Sequence, residues 1–105
     1  MARDVEWTII ALSDLEEVAE YIARGSRYYA GAFAREVRDA ARSLAVLAER
    51  GHVVAEFGNP SLREIFVKRY RLIYKITDQT VYIIGLIHGS RDLLASWDET
   101  ERRIN

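Results

Sequence analysis

Three short stretches rich in apolar and β-branched residues follow one another closely near the C-terminal end of the chain. They cover residues 62–67, 70–77 and 80–88, with two residues between each stretch and the next. Connections this short join antiparallel neighbours, because a parallel pair needs a crossover of a dozen residues or more. The sequence therefore predicts a meander of antiparallel hairpins closed by loops 68–69 and 78–79.

Two amphipathic helices are predicted before these strands. The first begins at Ser13, which has Glu16 at capping-box spacing, and ends near Gly25. Its apolar face consists of Leu15, Val18, Ala19 and Ile22. The second runs from about Tyr28 to Arg50 with an apolar stripe of Phe33, Val37, Ala40, Leu44 and Leu47. The short connection between them predicts an antiparallel hairpin packed on the sheet.

The remaining segments complete the predicted architecture. Residues 5–10 form a first strand, residues 51–61 a loop, and residues 92–104 are a candidate for a last helix. A chain of 105 residues has room for one core, so residues 1–105 are predicted to form a single domain. The fold class is α+β in the order β-α-α-β-β-β(-α), with the helix hairpin on one face of a small, mainly antiparallel sheet.

Composition narrows the functional classes. The net charge is −1, so the strong basic excess of a dedicated nucleic-acid binder is missing, and any such role needs a local basic patch. There is no cysteine, and neither His52 nor His88 has acids or a second histidine at metal-site spacing. We therefore predict no metal and no cofactor. No signal peptide or membrane-spanning run is apparent, which predicts a cytoplasmic protein.

Two-residue loops set the register of the hairpins, and pair Val67 with Tyr70, Ile65 with Leu72, and Tyr74 with Ile83. One face of the sheet then carries the residues expected to meet the helices, which are Ile65, Val67, Tyr70, Leu72, Tyr74, Ile76, Val81, Ile83 and Ile87. The opposite face, called here the back face, carries Glu64, Phe66, Arg71, Ile73, Lys75, Tyr82, Ile84, Leu86 and His88. A slip of one residue would exchange the two sets.

The predicted back face is too apolar for a solvated surface. Either residues 92–105 fold over it, or a partner covers it, or both. Four cations, Arg71, Lys75, His88 and Arg91, lie along its edge. They fit an RNA-cleaving groove, a surface for a protein partner, or a plain solvated sheet, and for Arg71 the expected structural partner is Glu64 or an acid of the tail.

Three segments resemble the RelE/ParE toxin superfamily. They are W-T-x-x-A-x-x-D-L-x-x-V-x-x-Y-I from Trp7, L-R-E-I-x-x-x-x-Y-R-L-I-Y-K-I from Leu62, and V-x-I-I-G-L-I-H-G-S-R-D-L from Val81. They span nearly the whole chain in order. The resemblance implies the fold predicted above and the toxin role in a bacterial type II toxin–antitoxin module, or plasmid stabilisation system. It also implies a cognate antitoxin that wraps the toxin.

The superfamily implies two different activities. RelE-like members cleave messenger RNA on the ribosome, and ParE-like members inhibit DNA gyrase. Metal-free RNA cleavage needs a proton acceptor and cations at the phosphate, and Arg71, His88 and Arg91 are the candidate catalytic residues for it. The RelE-like lysine is missing from "VVAEFG" (53–58), however, and no tyrosine follows Tyr82, whereas "IHGSRDL" (87–93) resembles the ParE-like ending.

These observations favour a ParE-like toxin that inhibits gyrase by binding rather than by turnover. The alternatives are a ribosome-dependent endoribonuclease and a degenerate member that only binds its antitoxin. The expected partners are the antitoxin and gyrase, or the ribosome and mRNA, with a homodimer or a toxin–antitoxin heterotetramer as possible assemblies. The residues predicted to bind the antitoxin or the target are Phe66, Arg71, Ile73, Lys75, Tyr82, Ile84, Leu86, His88 and Arg91.

Overall fold

The computed structural model describes residues 2–98 and residue 102. Its strands and helices, in chain order, are β1 (Asp4–Trp7), α1 (Ile9–Ala23), α2 (Arg27–Ser43), a 3-10 helix (Ala48–Arg50), β2 (His52–Val53), β3 (Leu62–Val67), β4 (Tyr70–Ile76), β5 (Thr80–His88) and α3 (Leu93–Ser96). The predicted last helix is observed only as α3, and its residues 99–101, 103 and 104 lie outside the described part of the chain.

The five strands form one sheet in the order β1-β5-β4-β3-β2. β1 pairs with β5 in parallel, and the other neighbours are antiparallel, which confirms the predicted α+β class. The predicted bounds of β3 and β5 are confirmed, and β4 ends one residue early. The sequence prediction missed β2, because two residues are too short to show an alternation.

α1 begins four residues before the predicted start at Ser13. The N-cap is Thr8, whose backbone is extended and whose Oγ1 accepts a hydrogen bond from the Ala11 amide at 3.2 Å. The predicted capping box of Ser13 and Glu16 is therefore wrong, since both residues lie inside the helix. For the same reason β1 ends at Trp7 rather than at residue 10.

α2 ends at Ser43, seven residues before the predicted end at Arg50. The chain turns there, and the Arg50 side chain folds back so that Nη1 donates to the Ser43 hydroxyl at 2.6 Å. Leu47, predicted to be in the apolar stripe, is 56% exposed after this turn, so that assignment is wrong. The other stripe residues are buried or pack against the core, and these are Phe33, Val37, Ala40 and Leu44.

All three predicted cross-strand pairs are confirmed, but β5 carries a bulge that the sequence prediction missed. Ile73 pairs with Gly85 and Tyr74 pairs with Ile83, which leaves Ile84 as an extra residue between the two pairs. One extra residue inverts the alternation of a strand beyond it.

The bulge corrects three face assignments. Leu86 packs in the core under the helices, and Ile87 packs on the back face, the reverse of the prediction for both. His88 lies opposite Tyr70 on the helix side, with the two ring centroids 5.1 Å apart. His88 therefore does not share a face with Arg71.

The back face is covered by the chain itself. Ile73 and Ile84 pack there beneath Val54, from the loop after β2, and Leu93, from α3. Phe57 and Trp97 complete this cover, with ring centroids 5.4 Å apart. Covering by the C-terminal segment is thus confirmed as far as Trp97, and the loop after β2 is a second cover that the sequence prediction missed.

The back face is consequently not an open apolar strip. Ile73, Ile84 and Leu86 are at most 4% exposed, so their prediction as surface residues is wrong. Phe66 remains 59% exposed, and Lys75 and Tyr82 are half-buried. Within the described residues, no helix has the length and apolar character needed to cross a membrane.

Candidate functional site

Arg71 stands at the centre of a buried ion cluster on the back face. Its Nη1 and Nη2 donate to the two carboxylate oxygens of Glu56 at 2.9 and 2.8 Å. Its Nε donates to Glu64, and Nη2 donates to the second Glu64 oxygen at 3.2 Å. The Arg71 side chain is 8% exposed and all three guanidinium nitrogens are committed to carboxylates, of which Glu64 is nearly buried and Glu56 keeps 31% of its side chain exposed. The predicted pairing of Arg71 with Glu64 is confirmed.

Two elements bring these acids to Arg71. Glu64 lies on β3, which pairs with β4, and it is the diagonal neighbour of Arg71 on the back face. Glu56 comes from the loop after β2, whose turn closes through Gly58 N donating to Val54 O at 3.2 Å. Gly58 has a φ of 60°, a left-handed conformation that glycine adopts without steric cost.

The cluster sets the charge states of its members. The hydrogen bonds from Arg71 hold the pKa of Glu56 at about 2, although burial opposes this shift. The same two carboxylates raise the pKa of Arg71 above its ordinary value. Glu56 and Arg71 are therefore both ionised at neutral pH, and the formal charges of two carboxylates and one guanidinium sum to −1.

The other two predicted catalytic residues lie in a different place. His88 and Arg91 line a cavity of about 380 Å³ between α1 and the end of β5, and Tyr21 and Tyr70 line it as well. His88 Nδ1 accepts a hydrogen bond from the Ser90 amide at 3.0 Å, as expected of a strand-end hydrogen-bonding residue. Burial raises the pKa of Tyr70. The structure thus brings His88 and Arg91 together, and keeps Arg71 apart from them.

Asp14 and Arg102 form a second ion pair at the inner wall of this cavity. Asp14 also accepts a hydrogen bond from the Leu86 amide at 3.0 Å, and Arg102 donates to the Ile84 carbonyl at 2.9 Å. These are backbone groups at the bulge, where β1 no longer runs beside β5. Arg102 also lies over the Trp97 ring, 4.5 Å from its centroid. This pair is structural, because Asp14 and Arg102 each bond a backbone group of the sheet.

A second open cavity of about 570 Å³, which we name the aromatic groove, adjoins the first. It shares Tyr70 and His88 with the first cavity, and its other lining residues are Ile22, Tyr28, Tyr29, Ala32, Phe33, Glu36, Lys68 and Arg69. The sequence prediction missed it, although "RYYA" (27–30) places two tyrosines together at a helix start. Among the described residues, no cluster of His, Asp or Glu side chains could hold a metal ion.

The chain is similar in sequence and fold to known proteins. Residues 5–93 match the family model for the ParE toxin of type II toxin-antitoxin system, parDE. The chain belongs to this family. This match confirms the resemblance to the RelE/ParE superfamily and the toxin class. A ParE-family toxin belongs to a toxin–antitoxin system, which implies a cognate antitoxin as its partner.

One curated protein and one solved structure are similar to this ParE-family chain. Toxin RelE2 of Caulobacter vibrioides is 35% identical over 88 residues, which are 83% of this chain and 96% of that protein. A solved chain from the chromosomal ParDE TA system of P. aeruginosa superposes with a TM-score of 0.69 at 14% identity. That match covers 83% of this chain and 96% of the other, and it supports the fold alone.

Proposed function

We propose that this ParE-family toxin acts by binding and inhibiting DNA gyrase, without cleaving RNA. The observation that carries the proposal is the commitment of Arg71 to Glu56 and Glu64. A metal-free ribonuclease needs cations that are free to stabilise a crowded phosphate. The cluster instead presents a carboxylate beside a buried guanidinium, with a net negative charge that repels phosphate.

One observation favours the runner-up, a ribosome-dependent endoribonuclease. His88, Arg91 and two tyrosines line a single cavity, which could supply a proton acceptor and a cation without Arg71. Glu17 lines the same cavity and weakens its attraction for RNA, while the charge of Asp14 is balanced by Arg102. A third reading, a degenerate member that only binds its antitoxin, predicts neither activity.

Some residues predicted to bind the antitoxin or the target remain exposed at the edge of the back face. Phe66, Lys75 and Tyr82 retain accessible area, and Arg91 is exposed beside α3. We expect them to contact the antitoxin or the target at the edge of the covered face.

Assays with purified protein and expression in cells distinguish gyrase inhibition, RNA cleavage and antitoxin binding alone. The toxin should inhibit supercoiling by gyrase, and expression should induce the DNA-damage response while messenger RNA stays intact. Site-specific cuts in ribosome-bound messages, abolished by Arg91→Ala, would establish the ribonuclease instead. Arg91 suits this test better than Arg71, because removing Arg71 leaves two carboxylates unpaired and lowers stability by roughly 3–5 kcal/mol. Antitoxin binding with neither activity would support the degenerate member.

A further inference from the structure

The aromatic groove lies at one end of the molecule, where two loops meet. One wall comes from the end of α1 and the start of α2, and the other comes from the two-residue turn between β3 and β4. Its floor is a row of rings in tilted and edge-to-face contact, with centroids 5.2 Å apart for Phe33 and Tyr70 and 5.1 Å apart for Tyr70 and His88. The groove is thus a concave surface with an apolar floor.

Two exposed tyrosines stand at the rim of this groove. Tyr28 is 75% exposed and Tyr29 is 66% exposed, and their rings meet edge to face at 5.5 Å. Tyrosines offer a large contact area with few rotatable bonds, so ordering them on binding costs little entropy. Adjacent exposed aromatics beside an apolar cavity are typical of a binding surface.

The loops around the groove are basic. Residues 23–29 and 67–70 together contain four cations and no acid, namely Arg24, Arg27, Lys68 and Arg69. The acid that lines the groove, Glu36, lies 3.5 Å from the ammonium of Lys68. This local excess stands out in a chain whose net charge is −1. A ligand that complements the groove carries apolar side chains for its floor and carboxylates for its rim.

We propose that an acidic, amphipathic segment of the antitoxin docks in the aromatic groove. Its apolar side chains fill the space above Phe33 and Tyr70, between the exposed tyrosines and the β3–β4 turn. Its carboxylates lie against Lys68 and Arg69. The inference rests on the toxin–antitoxin module of the proposed function and not on the choice between gyrase and ribosome as target.

A peptide segment fits the groove better than single-stranded RNA does. Ile22, Ala32 and Phe33 make the inner wall apolar, which suits apolar side chains and offers a phosphate no partner. RNA affinity depends on neutralising several phosphates, and four cations spread over two loops supply little of this. An apolar anchor with an acidic flank uses both features of the groove.

The test measures the affinity of the purified cognate antitoxin for the toxin and four variants. Tyr28→Glu places a carboxylate at the apolar rim, and should weaken binding by about tenfold or more. The first turn of a helix favours an acid, so this variant should fold. Arg69→Glu should slow association and flatten its salt dependence, because it removes electrostatic steering.

Matched controls lie beyond the other end of α2, about 25 Å away for a helix of 17 residues. Val46→Glu adds a carboxylate to a side chain that is 74% exposed, close to the exposure of Tyr28. Arg50→Glu repeats the charge reversal of Arg69→Glu. Both controls should bind the antitoxin like the parent, and all four variants should melt within a few degrees of it.

Three outcomes would overturn the proposal. Antitoxin affinity could be unchanged in both groove variants, or the controls could lose as much affinity as the groove variants. The groove variants could also lose binding to polyuridine, or self-association in sedimentation, while antitoxin affinity stays intact. The supercoiling assay on the parent toxin is independent of this series, so failure of the gyrase proposal and failure of the groove are seen separately.

Discussion

At the scale of single residues, Arg71 shows why a cation can occupy a strand of a small protein. A buried charge is costly unless it is paired and hydrogen-bonded, and Arg71 has a carboxylate for each side of its guanidinium. The acid Glu56 also ties the loop after β2 to the sheet. The cluster therefore anchors the cover of the back face and commits the Arg71 guanidinium to carboxylates.

The anchoring role of Glu56 predicts a pH dependence of stability. Its pKa is about 2 in the folded protein against an ordinary value of 4.5, so its contribution is complete above about 4.5 and is lost as the pH falls towards 2. Glu56→Gln should lower the free energy of unfolding at pH 7, and its difference from the parent should shrink between pH 4.5 and 2. Urea unfolding at several pH values checks this. A constant difference between the parent and Glu56→Gln in the free energy of unfolding across this pH range would contradict the prediction. Glu6→Gln, at an exposed side chain of β1, serves as the control.

At the scale of elements, the alternation of apolar residues predicted the strands because each strand pairs locally. The bounds of β3 and β5 and the three cross-strand pairs depend only on short loops and on period-two patterning. The bulge at Ile84 has no such signature, and it moved Leu86, Ile87 and His88 to the opposite faces. One inserted residue thus accounts for the errors in the predicted faces of the sheet.

The start of α1 can be tested with a pair of substitutions. Thr8→Ala removes the N-cap and should lower the free energy of unfolding by about 1 kcal/mol. Ser13→Ala acts on an exposed position inside the helix and should be neutral or slightly stabilising, since alanine has the higher helix propensity. Chemical unfolding of both variants decides between the two starts. A larger loss for Ser13→Ala than for Thr8→Ala would restore the capping box at Ser13.

A second element-scale prediction concerns the packing of the C-terminal segment on β5. A Cβ added at Gly85 would lie 2.8 Å from the Trp97 ring and 2.9 Å from Arg102 Nη1, which is too close for either atom. Gly85→Ala should therefore displace the segment and cost about 1–3 kcal/mol in thermal unfolding. Gly25→Ala is the control, because its nearest atom would be 3.7 Å away. Equal melting temperatures for the two variants would contradict this packing.

At the scale of the whole molecule, the sequence predicted that the back face is covered but did not identify all the residues that cover it. The apolar character of Ile73 and Ile84 correctly indicated that something covers them. Identifying the cover required contacts from Val54 and Phe57, in a loop whose residues show no periodicity. The same loop supplies Glu56, so the part of the candidate site that decides the role of Arg71 was missed for the same reason.

The helix-side core predicts a large effect for one leucine and a small effect for its neighbour. Leu44 is completely buried, so Leu44→Ala should leave a cavity and cost about 2–5 kcal/mol. Such a loss is a large part of a typical stability of about 5–15 kcal/mol. Leu47→Ala, at a side chain that is 56% exposed, should change stability by no more than about 0.5 kcal/mol. If the two variants had the same melting curve, the end of α2 would have to pack differently.

The parallel pairing of β1 with β5 has a consequence for synthesis of the protein in the cell. Thr8 donates both its amide and its hydroxyl to the Ile83 carbonyl, which lies 75 positions later in the chain. From Ser43, where the helix hairpin is complete, to His88, at the end of β5, the ribosome adds 88 − 43 = 45 residues. At about 5–20 residues per second this takes roughly 2–9 s, during which the apolar faces of the hairpin lack β5. A nascent chain therefore acquires this fold only after β5 has been synthesised, and products of translation interrupted before β5 lack the strand that joins β1 to the rest of the sheet.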